Sequence, residues 1–226
     1  MKKHIPNFIT TLNVVSGSMS VIMSLDGKIE YAAGCIVLGM FFDFFDGFVA
    51  RLLHVKSEFG KQLDSLADML TFGFAPAILA YFLIRDSSQA LAFSVLLIPA
   101  LSACRLAKFN LDTRQSVSFR GLPVPAHALF WVSLVFTKLY YPDFYGYFFS
   151  NVWILIACVV ILSLLLVSDL PMFSLKLSTF KWKENRLLYV YIILIICTLI
   201  FVGVKGIIFL IPFYILTCAV GTFIKK

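Results

Sequence analysis

The stretch Asp43-Phe44-Phe45-Asp46-Gly47-Phe48-Val49-Ala50-Arg51, followed eight residues later by Gly60-Lys61-Gln62-Leu63-Asp64-Ser65-Leu66-Ala67-Asp68, decides how this chain is read. Four carboxylates, an arginine and two glycines stand at fixed spacings inside two otherwise hydrophobic runs. An ionised carboxylate near the middle of a membrane span costs roughly 2.5–3.5 kcal/mol, so four left uncompensated would cost on the order of 10 kcal/mol. Something must offset that charge. At 100° per residue, positions 43, 46, 47, 50 and 51 share one helix face, and 64 and 68 stack one turn apart on the next helix. Two such helices side by side bring the carboxylates together, with Gly47 and Ala50 leaving room for a ligand or a neighbouring backbone. Carboxylate oxygens are hard ligands suited to magnesium, manganese or calcium. The three histidines, His4, His54 and His127, have no carboxylate or cysteine at metal spacing and are not read as ligands.

The rest of the chain fixes the medium. Of 226 residues, 61% are apolar and only 14% charged, and the mean hydropathy is +0.94, which excludes a water-soluble globule. Eight hydrophobic segments, at about 7–25, 30–53, 62–84, 89–108, 123–141, 147–169, 187–204 and 206–224, each approach the ~20 residues that cross a bilayer. The fold expected is all-α: a polytopic helical bundle of about eight transmembrane helices, formed as one domain over residues 1–226. Placing the N-terminus inside puts 15 of the 19 basic residues on the cytoplasmic side. That bias orients both termini and the acidic motif toward the cytoplasm. The net charge of +7 is assigned chiefly to topology and anionic headgroups, and nucleic acid is excluded as a partner because no soluble domain presents a basic face.

Smaller features follow from the same frame. Residues 1–12 read as an interfacial entry before the first span, and Tyr140, Tyr141, Tyr145 and Tyr147 as an outer aromatic belt. Cys35, Cys104, Cys158, Cys197 and Cys218 lie in apolar runs without CxxC pairing and are read as buried small hydrophobes. No cleavable signal peptide is read at the N-terminus. Phe41, Phe42, Phe44 and Phe45 are read as packing or lipid-facing groups.

The spacing D-x2-D-G-x2-A-R-x8-G-x3-D-x3-D resembles the signature of the CDP-alcohol phosphotransferases, membrane enzymes that build phospholipid headgroups, and every fixed position is filled. Two further runs, Arg105-Leu106-Ala107-Lys108-Phe109-Asn110 and Phe119-Arg120-Gly121-Leu122-Pro123-Val124-Pro125, are similar to segments of the phosphatidylserine synthases of that family. The resemblance covers most of residues 5–180. It implies a six-helix catalytic core over that region, with two generic spans added at about 187–224. It also implies transfer of a phosphatidyl group from CDP-diacylglycerol to the hydroxyl of L-serine, with release of CMP.

The same resemblance implies two divalent cations, Mg2+ or Mn2+: Asp43, Asp46 and Asp64 would hold one, and Asp43, Asp64 and Asp68 the other. Asp68 would also be the catalytic base. Asn7, Thr10, Gly47, Ala50, Arg51, Ser57 and Gly60 would bind CDP-diacylglycerol, with Arg105, Asn110 and Arg120 candidates for serine. The implied setting is the inner cell membrane, and the implied assembly a homodimer among membrane lipids. Two other readings stand beside it. One keeps the enzyme class but changes the acceptor, to glycerol 3-phosphate or inositol phosphate, or the donor to an archaeal lipid. The other is an ion-coupled transporter, which would spread its carboxylates along a path through the membrane.

Overall fold

A computed structural model describes residues 4–55, 57–111, 119–172 and 185–224. The chain runs through α1 (His4–Leu25), α2 (Ile29–Leu52), α3 (Glu58–Asp68), a π-helical turn (Met69–Phe74) and α4 (Ala75–Ile84). It continues through α5 (Gln89–Ala92), a 3-10 turn (Phe93–Leu96) and α6 (Leu97–Leu111) to the two-residue strand β1 (Phe119–Arg120). Next come α7 (Val124–Tyr140), α8 (Pro142–Phe149), α9 (Val152–Val167) and β2 (Pro171–Met172). The last part is α10 (Arg186–Val202), a 3-10 stretch (Gly203–Phe209) and α11 (Leu210–Ile224). The architecture is all-α, as the composition requires. β1 and β2 pair antiparallel, Phe119 with Met172 and Arg120 with Pro171, as a clasp between the segments before α7 and after α9.

Polarity is distributed inside out, as in a bundle solvated by lipid. In α1 the buried positions include Thr10, Asn13, Ser16, Gly17, Ser20 and Ser24, while Ile5, Phe8, Val15, Met19 and Ile22 are exposed. Lipid is as apolar as leucine, so helices gain little from burying leucine. They associate instead through small residues and interhelical hydrogen bonds. Ser20 Oγ donates to the Ala32 carbonyl at 2.8 Å and Thr71 Oγ1 to the Asn13 carbonyl at 3.1 Å, tying α1 to α2 and to the π-helical turn. Gly17 permits that approach: a Cβ there would lie 2.9 Å from the Thr71 Cα. Gly17→Leu is expected to destabilise the bundle by about 1–3 kcal/mol through overpacking, read as faster thermal inactivation in detergent. Unchanged stability would mean that α1 does not sit this close.

Every one of the eight expected segments has a helical counterpart, but their boundaries differ. By length and composition, five helices among the described residues can cross a membrane, with Arg186–Thr222, 37 residues through α10 and α11, counted as one of them, or six if the bent pair α8 and α9 is one span. α7, with 17 residues, falls short of that length. The segment read as 147–169 begins earlier, because Pro142 opens α8, and α8 meets α9 at a 76° bend. α1 is already helical from His4, so its first turns are not a separate interfacial entry. The third span is helical from Glu58 and loosens into the π-helical turn below Asp68. Pro76 follows that turn; it has no N–H to give Phe72 and its ring crowds that carbonyl.

Two assignments of individual residues are corrected. Tyr145 is buried and stacks on Phe149, so it belongs to the core and not to the aromatic belt, where Tyr140, Tyr141 and Tyr147 are exposed. All five cysteines are free, but Cys104 and Cys197 are exposed and only Cys218 is fully buried. A thiol is apolar enough to face lipid, so an apolar run does not by itself imply burial. The basic positions Lys2, Lys3, Lys56, Arg114, Lys176, Lys181, Lys183, Lys225 and Lys226, and with them Phe173 and Trp182, lie outside the described residues.

Candidate active site

The signature residues meet where α1, α2 and α3 come together. α2 carries Asp43 and Asp46 one turn apart, and α3 carries Asp64 and Asp68 one turn apart. Carboxylate oxygens of Asp43, Asp64 and Asp68 all lie within 4.8 Å of one another. Asp46 is held separately: it is buried, and its Oδ2 accepts a 2.6 Å hydrogen bond from Thr10 Oγ1 on α1. Like charges 4.8 Å apart repel by about 3 kcal/mol per pair at an effective dielectric near 20. Three carboxylates so placed need a counter-charge. Asp68 Oδ1 is buried with no hydrogen-bond partner among the described residues, an arrangement that a ligand to a cation explains. The donor set is all oxygen, which fits a hard divalent ion.

Beside the carboxylates lies a cavity of about 510 Å³, lined by Asn7, Thr10, Asp46, Gly47, Ala50, Ser57, Gly60 and Asp64, together with Pro6, Val55, Glu58 and Lys61. Six of the seven residues expected to bind the nucleotide lipid therefore face one space. Ser57 is the N-cap of α3, its hydroxyl accepting from the Gly60 N–H at 3.0 Å, and it still lines the cavity. Gly60 is needed at this point, because a Cβ would come within 2.9 Å of both Asn7 Oδ1 and Ser57 Oγ. The seventh residue, Arg51, is not among the lining residues. Its side chain is exposed and its Nε donates to the Gly47 carbonyl of its own helix at 2.9 Å.

The residues assigned to serine stand on two elements, α6 and β1. Arg105 on α6 is buried and stands within electrostatic reach of Asp68. Its guanidinium also lies 5.5 Å from the Phe109 ring centroid. Asn110 closes the gap between α6 and α3: its Nδ2 donates to Ser65 Oγ at 2.8 Å, and its carbonyl accepts from Lys61 Nζ at 2.9 Å. Arg120 lies exposed on β1 opposite Pro171. His127 is fully buried and accepts from Trp131 Nε1 at 3.4 Å, a packing role.

Several participants escaped the sequence reading. Glu58 and Lys61 line the cavity, and the signal available for Lys61 is its helical spacing, three residues before Asp64 on the same face. Tyr214 on α11 is buried within electrostatic reach of Arg105. A span read as generic thus reaches toward the carboxylates, and no local pattern signals it.

Comparison with known proteins agrees with this geometry. A family model described as CDP-alcohol phosphatidyltransferase matches residues 3–164. The CDP-diacylglycerol–serine O-phosphatidyltransferase of Helicobacter pylori (strain ATCC 700392 / 26695) is 33% identical over 200 residues, covering 87% of this chain and 81% of the relative. The protein of the same name from Bacillus subtilis (strain 168) is 39% identical over 138 residues, 59% of this chain and 76% of the relative. The archaetidylserine synthase of Methanothermobacter thermautotrophicus is 37% identical over 147 residues, 60% of this chain and 59% of the relative.

Proposed function

The chain belongs to the CDP-alcohol phosphatidyltransferase family, and on that premise we propose that it is a phosphatidylserine synthase. It transfers the phosphatidyl group of CDP-diacylglycerol to the hydroxyl of L-serine and releases CMP. The observation that carries this reading is the meeting of Asp43, Asp64 and Asp68 beside a cavity large enough for a nucleotide headgroup. Asp43, Asp46 and Asp64 would hold one divalent cation, and Asp43, Asp64 and Asp68 a second. When bound, such ions neutralise the pyrophosphate and make CMP a better leaving group.

The chain's own groups supply the rest. Asn7, Thr10, Gly47, Ala50, Ser57 and Gly60 shape the donor cavity, with Arg51 at its margin. Asp68, at the end of α3, accepts the hydroxyl proton of serine as the attacking oxygen approaches phosphorus. Arg105, buried beside Asp68, meets the serine carboxylate, with Asn110 and Arg120 as polar partners. Thr10 fixes the Asp46 carboxylate from α1, so the donor cavity and the metal ligands share one wall.

The proposal extends to the setting. The charge bias of 15 to 4 supports an enzyme of the inner membrane with eight spans and both termini in the cytoplasm. Residues of about 5–180 form its catalytic core, spans at about 187–224 are added to it, and the chain pairs as a homodimer. Crowding of the carboxylates at one end of α2 and α3 opposes the transporter reading.

The test is direct. Purified protein is incubated with CDP-diacylglycerol and Mn2+, each of several alcohols is added, and CMP release is followed. Serine is expected to be used at least tenfold better than ethanolamine, since the lost carboxylate contact is worth roughly 1.5–3 kcal/mol. Glycerol 3-phosphate and inositol phosphate are expected to be inactive. Equal use of serine and ethanolamine would overturn the acceptor assignment. The archaeal relative makes an ether-lipid donor a second arm of the same assay.

A further inference from the structure

Lys61 occupies an unspecified position of the signature, directly after Gly60. It is nevertheless the basic side chain that lines the donor cavity among the described residues, alongside the acidic lining of Asp46, Glu58 and Asp64. Arg51, which the signature would assign to phosphate, instead turns its Nε to the Gly47 carbonyl. Lys61 is also positioned from outside its own helix, because Nζ donates to the Asn110 carbonyl on α6 at 2.9 Å. An ammonium has three donors, so this bond orients the group and leaves two N–H for a ligand.

From this placement we propose that Lys61 is a binding residue for the donor: its ammonium pairs with the pyrophosphate of CDP-diacylglycerol at the cavity wall. The inference rests on the donor assigned above and adds a residue to it. A lipid donor brings two negative charges into a space lined by three carboxylates. Cations held by the aspartates offset part of this, and a fixed positive group on the wall offsets more. The link to Asn110 ties that group to α6, which carries Arg105 and Asn110 of the acceptor residues.

The experiment compares wild type, Lys61→Gln and Lys61→Arg in detergent, with Mn2+ present. Donor KM, serine KM, kcat and melting temperature are measured, and binding of CDP-diacylglycerol is measured directly without serine. Lys61→Gln is expected to raise the donor KM and the donor Kd about ten- to a hundredfold, the range of one charged hydrogen bond. Serine KM is expected to stay unchanged, and Lys61→Arg to restore donor binding. Three outcomes overturn the inference. A lower melting temperature with donor affinity intact makes Lys61 only a latch between α3 and α6. A rise confined to serine KM assigns it to the acceptor carboxylate. Donor affinity unchanged in every variant removes it from the site. Failure of wild type to release CMP with serine would instead strike the acceptor assignment, leaving the donor-binding arm to judge Lys61.

Discussion

Asp68→Asn is expected to lower CMP release by about 10²–10⁴-fold, the usual cost of losing a general base. Binding of CDP-diacylglycerol should persist, because Asp43, Asp46 and Asp64 still offer a cation three carboxylates. Asp43→Asn should behave differently: Asp43 is assigned to both ions, so donor affinity falls together with turnover. The amide keeps the shape of the carboxylate and removes only charge and basicity, so the contrast between the two variants does not come from packing. The geometry supports Asp68 in this role through its position at the end of α3, its Oδ1 without a hydrogen-bond partner among the described residues, and Arg105 within electrostatic reach. Wild-type turnover in Asp68→Asn would show that another group takes the proton.

Removal of divalent metal is expected to abolish activity, and Mg2+ or Mn2+ to restore it. The expectation rests on three carboxylates whose oxygens lie within 4.8 Å of one another. A second readout does not depend on turnover. An ion that binds only the folded protein stabilises it by about 2.7 kcal/mol at a hundred times its Kd. Mn2+ should therefore raise the melting temperature of wild type and have little effect on Asp43→Asn. Full activity in excess chelator, with metal content verified as absent, would sink the metal-dependent reading. A melting temperature indifferent to Mn2+ in wild type would place the ion elsewhere.

The two expectations differ in what they ask of the fold. Metal dependence needs only that the carboxylates converge, which α1, packed against both α2 and α3, supplies. The division of labour between Asp68 and Asp43 needs their environments to differ. That difference comes from outside the signature, from Arg105 on α6 within electrostatic reach of Asp68.

Much of this molecule was legible before its tertiary structure. An apolar content of 61% requires lipid around helices whose backbone bonds are satisfied internally. Helical periodicity is local, so the spacing of Asp43, Asp46, Gly47 and Ala50 put them on one face, and the cavity now lines Asp46, Gly47 and Ala50 together. Where the sequence misled, it was at helix ends and bends. Pro142 opening α8, the 76° bend into α9 and the burial of Tyr145 depend on how neighbouring helices pack, which hydropathy does not record.

The tertiary structure alone decided which members of the motif lie together. Asp43 joins Asp64 and Asp68, whereas Asp46 turns to Thr10; Arg51 folds back on Gly47, whereas Lys61 faces the cavity. A helix face spans several rotamers, and the choice among them is made by partners distant in sequence. Thr10 is 36 residues from Asp46, Asn110 is 49 from Lys61, and Tyr214 lies on the last helix. Spacing fixes which side chains can point one way, and packing with these distant partners selects which of them do.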